Sequence, residues 1–362
     1  MRRIALLTPL LTTADAISND LYGMQAALKQ RGHEARLFAN EIKAQGVEAS
    51  PATKIKDFLR DADDLLIYHY SMGWNFGLQL LHDLPCRTAV KYHNITPPEF
   101  FAGVSVDYEN VCRQGREQIK DIARAGCNLY LADSEYNASE LLHEGVDECH
   151  VVAPFHHVHK LESLAPDATV LDQYVNDQVN VLMVGRVAPN KGHAALIDAL
   201  AIYRREYNPE ARLLIVGKED GPLTKYSQWL RELVVSLGLE DSVVFTGGVS
   251  DEQLKAYYLA ADFFMLTSGH EGFCVPLVEA MALKVPIIAC ASSAIPATVG
   301  NAGLVWQERN PYLLAASIDY LNRDESVSVE LGLLGRQRYE QCFSNERIGE
   351  SFIAALSGAS LI

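Results

Sequence analysis

TSGHEGFCVPLVEAMALKVPIIAC, residues Thr267–Cys290, sets a carboxylate-bearing loop, a helix start and a buried strand in one compact unit. Glu271 lies in a loop loosened by Gly269 and Gly272. Glu279 follows Pro276, a residue suited to the first turn of a helix because its ring presets φ and lacks an N–H. The second carboxylate therefore stands about one turn inside a helix whose free N–H groups face the loop of the first. Such a helix end attracts phosphate through unpaired donors and partial positive charge. An ionised carboxylate only accepts hydrogen bonds, so Glu279 suits a diol such as a ribose rather than the phosphate itself. The combination implies a nucleotide-sugar site.

Working outward, Val181–His193 (VLMVGRVAPNKGH) reads as a strand leading through a glycine-bounded turn into a helix. It sets Arg186 and Lys191 where a phosphate would arrive. A departing nucleoside diphosphate gains negative charge as its glycosidic bond breaks, and prepositioned cations stabilise that charge more in the transition state than before it. Arg offers a planar fork and Lys a point charge, so the two are complementary.

The run Glu271-Gly272-Phe273, Pro276 and Glu279-Ala280-Met281-Ala282, with the strand Val285–Ile288 behind it, resembles the E-x7-E element of retaining glycosyltransferases of family 4. Gly185-Arg186, then Lys191-Gly192, resembles that family's G-R-x4-K-G element. The resemblance implies the α/β GT-B fold: two Rossmann-like doubly wound parallel-sheet domains facing a deep interdomain cleft. It also implies hexose transfer from a nucleotide-diphosphate sugar to a sugar hydroxyl with retention of configuration. Arg186 and Lys191 would hold the diphosphate, Glu271 the donor sugar and Glu279 the ribose, among backbone and side chains of Gly185, Gly217, Val249, Gly272, Phe273, Cys274 and Val275. No metal or other cofactor is expected at the diphosphate, which the two cations and the helix end at Pro276 can neutralise. Likeness to bacterial surface-polysaccharide mannosyltransferases puts GDP-mannose first among donors and UDP-sugars next. A sugar-nucleotide epimerase and a non-catalytic sugar-nucleotide-binding subunit are the alternatives.

The donor's base and ribose would meet loops after Val216 (Gly217-Lys218) and Phe245 (Thr246–Val249), at carboxyl ends of strands, where open α/β sheets bind ligands. In the first half, Lys91–Glu99 (KYHNITPPE) carries His93 from a buried strand into a proline-stiffened loop. The resemblance gives His93 a contact with the transferred sugar or the acceptor. The family's first loop usually carries a glycine pair, whereas this chain has Thr12–Asp20 (TTADAISND), leaving Ser18 and Asn19 as candidates there. Ser134 reads as a helix cap. The group His156-His157-x-His159 lacks the carboxylate or cysteine pattern that would complete a metal site.

A chain of 362 residues suits two domains. We expect residues 1–160 as an N-terminal acceptor domain, 161–178 as a Pro- and Asp-rich linker and 179–342 as the donor domain. In the resembled family the last helix, here within 343–362, crosses back to the first domain. The strands expected are Ile4–Leu7, Leu65–His69, Thr88–His93, Leu129–Ala132 and His150–Val152, then Val179–Val184, Arg212–Val216, Val243–Phe245, Asp262–Leu266 and Pro286–Cys290. The N-terminal apolar run imitates a signal peptide, but a helical pattern follows it directly, so it reads as a strand. A net charge of −15 argues against a nucleic-acid partner. Seven scattered cysteines form no disulfide or zinc pattern and suit a reducing cytoplasm. Arg113, Arg116, Lys120 and Arg124 recur at helical spacing, which suggests peripheral contact with an anionic inner membrane face and a glycan or lipid-linked saccharide as acceptor. The competing reading is a solvated helix with Glu117 and Asp121 as ion-pair partners.

Overall fold

A computed structural model describes residues 2–13 and 15–362. The chain divides into two compact units, the first made of residues 1–98, 109–157 and 343–362, the second of residues 99–108 and 158–342. Each is built on one wholly parallel sheet.

The strands of the first unit are β1 (Arg3–Leu11), β2 (Glu34–Ile42), β3 (Ala49–Pro51), β4 (Leu65–Tyr70), β5 (Arg87–Tyr92), β6 (Leu129–Ala132) and β7 (His150–Val151). Their spatial order is β3-β2-β1-β4-β5-β6-β7. Helices cover both faces of such a sheet, so its central strands are apolar almost throughout. β4, Leu65–Tyr70, is buried at every position. The chain order reverses between β1 and β4, and the helix Ala16–Gln30 follows β1 at that point. Helix Asn345–Gly358 belongs to this unit, with Ile348, Phe352 and Leu356 in the core alongside Leu21, Met24 and Leu28 of Ala16–Gln30. His156, whose Nε2 lies 2.8 Å from the Phe343 carbonyl, ties the same terminal segment down.

The second unit contains β8 (Asn180–Val184), β9 (Arg212–Val216), β10 (Val243–Gly247), β11 (Phe263–Leu266), β12 (Ile287–Cys290) and β13 (Gly303–Trp306), in the order β10-β9-β8-β11-β12-β13. Here the reversal falls between β8 and β11. The expected capping box forms at Ser250 and Gln253 and starts the helix Asp251–Ala260.

β2, β3 and β13 were not foreseen. The segment expected as a linker, 161–178, lies within the second unit and contributes to two short helices, Val158–Ser163 and Ala168–Tyr174. Leu161, Val170 and Tyr174 are buried, and Lys255 donates to the carbonyls of Glu162 and Leu164 at 2.6 Å, anchoring the segment to the helix Asp251–Ala260.

Candidate functional site

Ligands of open α/β sheets bind beyond the carboxyl ends of the strands where the order reverses. In the second unit that point lies between the ends of β8 and β11, which carry Gly185–Lys191 and Thr267–Glu271. The two loops are fastened to one another. Thr267 Oγ1 donates to the Gly192 carbonyl at 2.9 Å, the Gly269 N–H to the Asn190 carbonyl at 2.7 Å, and Asn190 Nδ2 to the His270 carbonyl at 3.3 Å. Gly192 has φ +71°, and a Cβ there would stand 2.2 Å from the Thr267 carbonyl oxygen, so only glycine lets the loops approach this closely.

This clip brings Lys191 and Glu271 together. The ammonium donates to both carboxylate oxygens, at 2.7 and 2.8 Å. Ser268 Oγ donates to Glu271 Oε1 at 2.7 Å, and the Glu271 N–H donates to Ser293 Oγ at 2.7 Å. The Glu271 side chain is only 7 % exposed. Burial, the largest single influence, pulls the Lys191 ammonium down, but the charge and hydrogen bonds of Glu271 together with the nearby Cys274 outweigh it and leave the lysine above its ordinary value. Arg186, by contrast, is 42 % exposed. It pairs with Asp220 at 3.0 Å and donates to the Tyr108 hydroxyl at 2.8 Å, with its guanidinium over the Tyr108 ring.

Glu279 lies in the helix Val275–Ala282, which has Pro276 in its first turn and Cys274 as its cap residue at φ +77°. Tyr258 donates its hydroxyl to Glu279 Oε2 at 2.7 Å. Burial nevertheless pushes the Glu279 carboxyl up to about 7. Gly272 and Val275 are half-buried, and Phe273 and Cys274 buried, around the same turn. At the end of β9, Gly217 has φ +159°, and a Cβ there would stand 1.9 Å from the Gly185 carbonyl oxygen. The touching ends of β8 and β9 therefore require this glycine whether or not a ligand is bound. Val249, half-buried, precedes the Ser250 cap at the end of β10. The sequence reading missed Tyr108, Asp220, Tyr258, Ser268 and Ser293. Each reaches its site partner from a distant element or a short polar loop, and no local pattern marks it.

In the first unit, His93 follows β5 directly, and both of its ring nitrogens face polar neighbours. Nδ1 lies 2.9 Å from Asp133 Oδ2 and Nε2 lies 2.8 Å from His69 Nδ1. Asp15 caps the helix Ala16–Gln30 and accepts from Ser18 Oγ at 2.6 Å, so Ser18 is committed to that turn, and Asn19 is half-buried one position on. Ala14, within the same loop, lies outside the described residues. Ser134 accepts from the Asn137 N–H at 3.2 Å, as a helix cap does.

Comparison with known proteins matches residues 173–338 to the family model of glycosyl transferases group 1. The mannosylfructose-phosphate synthase of Agrobacterium fabrum is 48 % identical over 111 residues, 30 % of this chain and 24 % of that protein. A GDP-mannose-dependent alpha-(1-6)-phosphatidylinositol monomannoside mannosyltransferase of Mycobacterium tuberculosis is 33 % identical over 172 residues, 45 % of this chain and 43 % of that one. The chain thus spans less than half the length of these relatives. Among solved structures, a sucrose-phosphate synthase from Thermosynechococcus elongatus superposes with a TM-score of 0.76 at 21 % identity, over 99 % of both chains. HepE of Anabaena in complex with UDP gives 0.75 at 17 %, over 99 % of this chain and 100 % of that one. Residues 173–338 are thus similar to the glycosyl transferases group 1, and the chain has the GT-B fold.

Proposed function

We propose that the chain transfers a hexose from a nucleotide-diphosphate sugar to a sugar hydroxyl with retention of configuration. The observation that carries this reading is the Lys191–Glu271 ion pair beside the exposed Arg186, at the order reversal of the second sheet. The geometry supports a division of labour. Lys191 is held in place before any donor arrives, so little reorganisation accompanies charge development on the leaving diphosphate. Arg186 is more accessible and would exchange Asp220 for a phosphate oxygen. Glu271, anchored by Lys191 and Ser268, would orient the sugar hydroxyls, and Glu279 Oε1, left open by the Tyr258 contact to Oε2, would accept from the ribose.

With retention, the leaving phosphate takes the acceptor's proton on the same face, and no separate general base is needed. GDP-mannose is the donor placed first, supported by the GDP-mannose-dependent relative. UDP-sugars follow, supported by the fold neighbour bound to UDP. The acceptor in this reading is a glycan or a lipid-linked saccharide.

The test combines two measurements. Thermal unfolding with GDP, UDP and ADP should show stabilisation by one of them, as a ligand of the folded state produces by mass action. Incubation with the matching labelled sugar nucleotide should then label a saccharide acceptor. Epimerised donor formed without any acceptor would replace this reading with the epimerase. Binding of a nucleoside diphosphate with no turnover on any saccharide would leave a binding subunit.

A further inference from the structure

At the carboxyl edge of the first unit's sheet, Asp20, His69 and His93 converge from three elements. Asp20 comes from the helix after β1, His69 from β4 and His93 from the end of β5. Asp20 and His69 are fully buried, and the His93 side chain is 3 % exposed. His69 Nδ1 and His93 Nε2 are 2.8 Å apart, and Asp20 Oδ2 is 3.7 Å from each of them.

Asp20 Oδ2 is thus aimed at both imidazoles yet lies beyond hydrogen-bond range of either, and it has no hydrogen-bond partner. Its other oxygen accepts from the Phe155 N–H at 2.8 Å, which fixes the carboxylate plane. The surroundings carry two carboxylates, Asp20 and Asp133, against one ammonium, Lys91, which lies 3.0 Å from Asp133 Oδ1. With neutral imidazoles the group carries one net negative charge, so a cation placed among Asp20, His69 and His93 meets favourable surroundings. A proton shared along the His69–His93 line would use the 2.8 Å contact but leave Asp20 Oδ2 bonded to nothing. Three atoms with these separations share a point about 2.0 Å from each, the length of a zinc–nitrogen or zinc–carboxylate bond.

We propose that Asp20, His69 and His93 form a site for one divalent first-row transition ion, a donor set of two imidazoles and a carboxylate that suits zinc. Asp133 completes the arrangement from behind. It accepts the His93 Nδ1 proton and so turns the Nε2 lone pair toward the ion, as carboxylates behind metal-bound histidines do. His69 pays with an Nε2 proton that finds no acceptor, a smaller cost than the unneutralised carboxylate. The three ligands lie 24 and 49 positions apart and show no ligand spacing in sequence, which explains why no metal was expected. The ion would tie the first helix to the two central strands; its ligands belong to the first unit, whereas the residues assigned to the diphosphate belong to the second.

The full chain, purified without a metal-affinity tag, should contain about one transition-metal ion by plasma mass spectrometry. Asp20→Asn and His69→Gln should each hold about a tenth of that or less. After removal of the ion, returning zinc should raise the melting temperature of the wild-type chain and leave Asp20→Asn unmoved. If the variants do not fold, zinc-edge X-ray absorption on the wild-type protein decides: imidazole and oxygen neighbours support the site, and sulfur neighbours overturn it. A wild-type chain that carries no transition metal and takes up no zinc at micromolar concentration also overturns it. None of these readouts involves a sugar nucleotide, so they stand or fall separately from the proposed transfer.

Discussion

Lys191 and Glu271, 80 positions apart in sequence, meet in a two-pronged ion pair that neither loop could hold alone. Glu271 is almost fully buried and Lys191 largely so. Removing one partner therefore leaves the other's charge stranded.

Lys191→Ala should lower turnover by on the order of 10² to 10³ and also cost roughly 2 kcal/mol or more of stability. Arg186→Ala, at an exposed position, should lose turnover on the same scale with an unchanged unfolding midpoint. The double change Lys191→Met with Glu271→Gln should restore much of the stability but none of the turnover. Denaturant unfolding beside steady-state kinetics measures all three, and a Lys191→Ala protein with normal turnover would remove the lysine from the diphosphate site.

Glu279 sets a pH dependence. Its carboxyl is raised from an ordinary 4.5 to about 7, chiefly by burial, so the folded state prefers the protonated form. The resulting destabilisation is absent at low pH, grows as pH rises above about 4.5 and is complete above about 7. Glu279→Gln should remove this slope and gain on the order of 2–3 kcal/mol at pH 8 relative to pH 4. Donor affinity should move the opposite way in the wild-type chain, weakening as pH falls below about 7, because only the ionised carboxylate accepts two ribose hydroxyls. KM for the donor should change before kcat. A pH-independent donor KM between pH 5.5 and 8 would refute the ribose assignment.

Gly217→Ala should destabilise the second unit by roughly 2 kcal/mol or more, since the new methyl meets the Gly185 carbonyl oxygen and the backbone angle suits only glycine. Gly221→Ala is the control. No atom lies within 4 Å of the position its Cβ would take, so its melting temperature should stay within a degree or two. Equal melting temperatures for the two variants would show that the strand ends can part without cost.

The basic helix needs a different membrane experiment from the one its spacing suggests. Arg116 turns inward, donating to Glu140 Oε1 at 2.7 Å and to the Ile95 carbonyl at 2.8 Å, while Arg113 pairs with Glu109 on its own helix. Lys120 and Arg124 remain on the exposed face. Replacing Arg113, Lys120 and Arg124 by Glu should abolish any low-salt sedimentation with anionic liposomes without loss of stability, whereas Arg116→Glu should destabilise the first unit. Wild-type protein that stays in the supernatant at low salt would leave the helix as an ordinary solvated face. Among the described residues no helix is long and apolar enough to cross a membrane.

Much of the second unit was legible because its elements carry local chemistry: apolar runs for β8 to β12, Pro276 at a helix start, Ser250 with Gln253 at another. β2 escaped because its last three residues, Asn40, Glu41 and Ile42, are exposed and blur the apolar run of Leu37–Ala39. β13 is four residues long, opens on glycine and is only half-buried, so it presents no apolar run. Residues 161–178 have the composition of a linker, and what orders them, the Lys255 ammonium and a few buried side chains, lies far away in sequence. The same distance hid the Asp20–His69–His93 convergence, since a parallel sheet gathers strand ends that its sequence keeps apart.

The order of strands also separates two tasks. Arg186, Lys191 and Glu271 stand on the ends of the central pair β8 and β11, whereas Gly217-Lys218 and Gly247–Val249 stand on the outer neighbours β9 and β10. In the proposed reading, the grip on the diphosphate and the reading of the base are thus mounted on different strands. On that reading, two outer loops can be reshaped to exchange one nucleobase for another while Lys191 and Glu271 keep their places. Grafting residues 217–219 and 246–249 from a relative of different donor choice, with Asp220 kept, should carry that preference across without disturbing Arg186 or the Lys191–Glu271 pair.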